Sequence, residues 1–107
     1  MPVVSMMRIP GDADQLAAAV REHIDPVAER LAEKHGGLAN IVARDRDGGL
    51  LIINLWETEE GRHAMGEEPE IREALGAAGF PPPSFEGYEV LHFHVRDRAV
   101  ALADAAT

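Results

Sequence analysis

The sequence contains no cysteine, which excludes disulfides, thiolate metal sites, iron-sulfur clusters and a cysteine nucleophile. Serine is almost missing too: Ser5 and Ser84 are the only two, and neither sits in the glycine-flanked elbow of a serine hydrolase. No glycine-rich phosphate loop follows an apolar segment, and Asp45-Arg-Asp-Gly-Gly49 is too short for a calcium loop. No apolar run approaches the roughly 20 residues that span a bilayer. The start, MPVVSMMRIPGD, lacks a basic region followed by a long apolar stretch, so no signal peptide is expected and the expected location is the cytoplasm. Basic residues are few and scattered, and the formal charge is −9, which disfavours nucleic acid and anionic membrane as partners.

Hydrophobic residues make up 46% and charged residues 27% of the chain, a globular balance. With 107 residues it has room for one domain and one core, since domains run to about 100–200 residues. Val3–Ile9 is a short apolar run closed by Pro10-Gly11, which predicts a buried strand. Asp12 or Asp14 then offers a helix cap, with Gln15 placed to complete a capping box. Leu16, Val20, Ile24, Val27 and Leu31 trace one face of a helix from about Ala13 to Lys34, which Pro26 should kink or break near Asp25. Gly36-Gly37 ends it.

Leu38–Arg44 and Leu50–Trp56, joined by Asp45–Gly49, read as an antiparallel hairpin. The second of these strands is apolar at both parities except at Asn54, so both of its faces need cover. Thr58 caps a second helix opened by Glu59 and Glu60; Gly66 and Pro69 interrupt it, and Gly79 stops its second piece. Phe80-Pro-Pro-Pro-Ser84 reads as a loop, Tyr88–Val95 as the last strand, and residues 96–107 as a tail outside the 1–95 domain. Strand, helix, strand, strand, helix, strand is the α+β ferredoxin-like order, a four-stranded antiparallel sheet with its helices on one face. The uncovered face predicts a homodimer, with a second copy as its lid.

This element order, the length, and above all LLIINLWETEEGRHAMGEEPEIREAL resemble the dimeric α+β barrel superfamily and, within it, the antibiotic biosynthesis monooxygenase-like proteins. The resemblance runs from about Val3 to Val95 and implies fold more specifically than reaction, because the superfamily holds cofactor-free oxygenases, haem-degrading enzymes, cyclases, isomerases and members without known chemistry. Where such relatives oxygenate without metal or flavin, an asparagine and a tryptophan near the end of this strand bind substrate and stabilise an enolate. Asn54 and Trp56 are the matching positions, and strand alternation puts them on one face. Physically, an amide donor in a dry site stabilises an oxyanion, and an indole offers a flat wall to an aromatic ring.

Each of these residues also has a purely structural reading: helix–sheet packing for Trp56, a buried hydrogen bond for Asn54. His63, one turn into the helix after Trp56, is the candidate general base if that helix crosses the cleft, and a solvent-facing residue among Glu59, Glu60 and Arg62 if it does not. Arg62, His92 and His94 are candidates for substrate contact, the two histidines lying two residues apart on the expected last strand. Two histidines without a third ligand do not make a metal site. Haem is the alternative cofactor that the resemblance implies, but the first strand lacks the asparagine of haem-degrading relatives and His63 follows Trp56 too closely for their axial ligand. The expected activity is therefore cofactor-free monooxygenation of an aromatic or enolisable small molecule, with a non-catalytic binding protein as the rival class.

Overall fold

The computed structural model of the chain describes residues 1–94. Four strands form one antiparallel sheet: β1 (Val3–Ile9), β2 (Gly37–Arg44), β3 (Leu50–Trp56) and β4 (Ser84–Glu89), in the order β2-β3-β1-β4. This is the ferredoxin-like arrangement. The β2–β3 hairpin closes through Asp45 and Gly49, where Asp45 N–H donates to the Gly49 carbonyl at 2.8 Å and Gly48 takes a positive φ of 94°. Its register sets Asn40 against Asn54 and Val42 against Ile52.

The first helical run is in three pieces: α1 (Ala13–Ala19), a π-helical turn (Val20–Ile24) and α2 (Asp25–His35). Asp12 caps α1 by accepting from Gln15 N–H at 3.2 Å. The break expected at Pro26 takes the form of the π turn just before it. Asp25 N–H reaches back five residues to the Val20 carbonyl, and Pro26, without an N–H, occupies the first turn of α2, where no donor is needed. Gly36 ends α2 at φ 79°. Thr58 caps α3 (Glu59–Glu67) by accepting from Gly61 N–H at 3.0 Å, and α4 (Pro69–Ala78) follows with Pro69 in its first turn.

The helices cover one face of the sheet, and the core between them is split. Val3, Leu31, Trp56, Met65 and Ile71 form one buried cluster, and Ile9, Ala13, Val20, Leu50 and Ile52 form another. Each large aliphatic side chain among them contributes about 1.5–3 kcal/mol by leaving water. The alternate residues of the strands form the opposite face, where Ile41 is 53% exposed and Val4, Met6, Ile53 and Leu55 are half-buried. At one end of that face Arg8 bonds Asp45 and Glu86, each at 3.0 Å.

One element differs from its expected position. The last strand was expected over Tyr88–Val95, and β4 instead runs Ser84–Glu89, drawing in the end of the proline loop. Its partner explains this: antiparallel pairing with β1 brings Glu89 opposite Val3, and after Val90 N–H donates to the Pro2 carbonyl there is no further strand to pair with. His92 and His94 therefore lie beyond the sheet. The tail expected over residues 96–107 lies outside the described residues.

Candidate active site between the sheet and the helices

Strand parity puts a row of polar groups in the middle of the helix-covered face. Asn40, Asn54 and Ser5 are neighbours across β2, β3 and β1, and Gly87 continues the row on β4. The next positions along the strands on either side are apolar: Ile52 and Met7 toward one core cluster, Trp56 and Val3 toward the other. Amides and a hydroxyl cannot be packed over by aliphatic side chains without losing hydrogen bonds. The helices stand away from the row and leave a cavity of about 550 Å³, within the range of small-ligand sites.

Asn40, Asn54, Ser5, Trp56 and Arg62 all line this cavity. Asn40 Nδ2 donates to Asn54 Oδ1 at 2.6 Å. That bond holds the Asn54 amide by its acceptor end, and its Nδ2 has no protein partner among the described residues, so it is free to donate to a ligand. Trp56 is only 6% exposed and belongs to a core cluster as well as to the cavity wall; its Nε1 lies 3.4 Å from Ser5 Oγ, a long hydrogen bond. Packing and cavity wall are thus both true of it. The Arg62 guanidinium is held by Glu59 on its own helix, which raises the arginine and lowers the carboxylate from their ordinary pKa values.

The helical wall adds two acids that sequence reasoning did not single out for chemistry. Asp25 and Glu29 both line the cavity. Burial pushes the Asp25 carboxyl above the usual range, repulsion from Glu29 adds to this, and Arg21 partly offsets it. A signal for them existed: Asp25, Ala28, Glu29 and Ala32 fall at helical spacing on one face, small side chains alternating with carboxylates. The signal for Asn40 was the hairpin register, which pairs it with Asn54.

Three expected site residues lie elsewhere. The His63 side chain is 71% exposed and its Nε2 lies 3.9 Å from Glu67 on the following turn. The helix carries it to the outer side, while Arg62 and Met65 face in. His92 and His94, beyond the end of β4, are exposed, and their rings lie against each other at a tilt of 45° with centres 4.7 Å apart. Among the described residues no histidine and no first-strand amide lines the cavity, so the residues that line it do not fit haem. Among the described residues no three acids or histidines gather as a metal site, and no helix is long and apolar enough to cross a membrane.

Solved structures with the same architecture include Rv0793 from Mycobacterium tuberculosis, at 15% identity and TM-score 0.67 over 89% of this chain and 100% of that one. SnoaB, a cofactor-independent oxygenase from Streptomyces nogalater, matches at 13% identity and TM-score 0.63 over 86% of this chain and 93% of its own. A protein from Caulobacter crescentus CB15, assigned as an antibiotic biosynthesis monooxygenase, matches at 14% identity and TM-score 0.68 over 85% and 91%. This is the fold of the antibiotic biosynthesis monooxygenases. No protein-family model matches the sequence, and no curated protein matches it. At these identities the likeness to the monooxygenases is one of fold.

Proposed function

We propose that the protein is a small monooxygenase that acts, without metal or flavin, on an aromatic or enolisable small molecule held between the polar row and the helices. The observation that carries this reading is the Asn40–Asn54 amide pair, set with Trp56 in the wall of a 550 Å³ cavity between two hydrophobic clusters. Trp56 offers a flat apolar surface to a ring, and the free Asn54 Nδ2 offers a donor to an oxygen on that ring. The electron-rich anion of the substrate then reacts with dioxygen itself. For a ketone with an acidic methylene group, the methylene and dioxygen give a second carbonyl and water, so the balance needs no other oxidant. The shared fold with SnoaB, described as a cofactor-independent oxygenase, supports the same reading.

The bare sheet face supports a homodimer. Its half-buried apolar centre and exposed Ile41 suit a second copy of the same face, with the Arg8, Asp45 and Glu86 charges already paired at one end. The function is tested with anthrone, an enolisable tricyclic ketone, by following oxygen uptake and the product quinone. Asn54→Ala should lower kcat by roughly 10²–10³, the loss seen when one oxyanion donor is removed, and Trp56→Phe should lower turnover with the dimer intact. Absence of turnover on anthrone, quinols and aromatic polyketides, or equal turnover in Asn54→Ala, refutes it.

A further inference from the structure

We propose that the Asp25 carboxylate is the proton acceptor of this cavity, standing on the helical wall across from the amide row on the sheet. The inference rests on the enolate reading above and names the group that makes the enolate.

The placement of Asp25 is built into the backbone. Its N–H closes the wide π turn on the Val20 carbonyl, and Pro26 directly after it cannot return the chain to ordinary helical bonding at that point. π turns of this kind occur often at functional sites. From there Ala28 and Ala32 follow on the same face, and their small side chains leave room for a flat ligand beside the carboxylate.

Asp25 combines partial burial with an unbonded carboxylate, whereas Glu29 on the same wall is exposed. Asp45, Glu59, Glu68 and Glu70 are each bonded to an arginine, a lysine or a histidine. Asp25, half-buried, has neither a hydrogen-bond donor nor an ion-pair partner on its side chain among the described residues. A carboxylate that is desolvated and not bonded to a cation gains by taking up a proton, and the more distant charge of Arg21 offsets this only in part.

Its surroundings are consistent from every side. Glu29 and Arg21 act on it from its own helical run. α3 contributes one cation to the cavity wall, Arg62, already held by Glu59. α4 presents Ile71 and Leu75, and the sheet presents the neutral Asn40, Asn54 and Ser5. Asp25 and Glu29 are the two carboxylates on the cavity wall among the described residues, and Asp25 is the more buried of the two.

The step is a single proton transfer. An Asp25 oxygen forms a bond to the proton of an acidic C–H on the substrate. The C–H electron pair moves into the neighbouring carbonyl, and the resulting enolate oxygen accepts from Asn54 Nδ2. Asp25 becomes neutral as the substrate becomes anionic, so the net charge in the cavity stays at its starting value. A base whose pKa lies nearer neutrality than an ordinary aspartate suits this transfer.

Hydrogen–deuterium exchange at the methylene of anthrone, in D2O under argon and read by mass spectrometry, isolates this step from oxygen chemistry. The wild type should accelerate exchange, and Asp25→Asn should lower the enzymatic rate about 100-fold, the lower end of general-base contributions. Asp25→Glu should recover a large part of it. The wild-type rate should fall as pH drops through the raised Asp25 pKa, and Asp25→Asn should lose that limb while its circular dichroism melt stays close to the wild type. No acceleration by the wild type, or full exchange in Asp25→Asn, overturns the assignment. Exchange without oxygen uptake when air is admitted leaves Asp25 as base and removes the oxygenase; oxygen uptake with undiminished exchange in Asp25→Asn removes only the base.

Discussion

Truncating Trp56 to alanine measures how much of this residue is core and how much is wall. A tryptophan buries roughly 150–250 Å², and at 6% exposure nearly all of that area is out of water here. At about 25 cal/mol/Å² the transfer term is on the order of 5 kcal/mol, and measured truncations of large aromatics cost about 3–5 kcal/mol. Because one side of the indole borders a cavity rather than packed atoms, the lower half of that range applies, about 3–4 kcal/mol. That is a large share of the roughly 5–15 kcal/mol by which a domain of this size is stable. Trp56→Phe should cost much less, about 1 kcal/mol, since a ring still packs against Leu31, Met65 and Ile71 and the 3.4 Å contact to Ser5 is too long to add much. Urea unfolding followed by far-UV circular dichroism gives both numbers; intrinsic tryptophan fluorescence does not, because Trp56 is the only tryptophan. A loss below about 1 kcal/mol for the alanine variant contradicts the core role assigned to Trp56 from its burial. Equal losses in the two variants place the weight on the indole N–H, and the packing argument fails.

If the bare sheet face pairs with a second copy as proposed, Ile53→Lys should leave the helix-covered core intact and turn that dimer into a monomer. Losing one buried aliphatic side chain and burying an unpaired ammonium together cost at least about 4 kcal/mol, roughly a thousandfold in the dimer dissociation constant, and sedimentation velocity reads it directly. A dimer that survives Ile53→Lys, or a wild type that sediments as a monomer, removes the bare sheet face as the contact. Gly61→Ala should destabilise by several kcal/mol or prevent folding despite alanine's better helix propensity, because a Cβ at Gly61 would run into the His35 carbonyl at the end of α2; a thermal melt equal to the wild type contradicts the close approach of α2 and α3.

Apolar periodicity made the order of elements legible and set Leu50, Ile52 and Trp56 on one strand face, which the structure buries under the helices. The same parity put Asn54 beside Trp56 on one face. Asp25 was less legible because its place on the cavity wall depends on where helical faces point after a local irregularity. Read as one continuous helix, the first run draws attention to its aliphatic stripe. The π turn lies at Val20–Ile24 and Pro26 at the first turn of α2, so Asp25 meets the cavity at the junction of the two pieces. His63 points outward for a related reason: on α3 its neighbours Arg62 and Met65 take the inward positions, and a step of one residue, about 100° around a helix, carries the imidazole away from them. Tyr88–Val95 reads as a strand by its run of apolar residues, yet a strand also needs a partner, and β1 offers none past Val3, which pairs with Glu89. Composition therefore located the layers of this protein, whereas the polar lining of its cavity is set by two backbone events: the hairpin register that pairs Asn40 with Asn54, and the π turn that places Asp25.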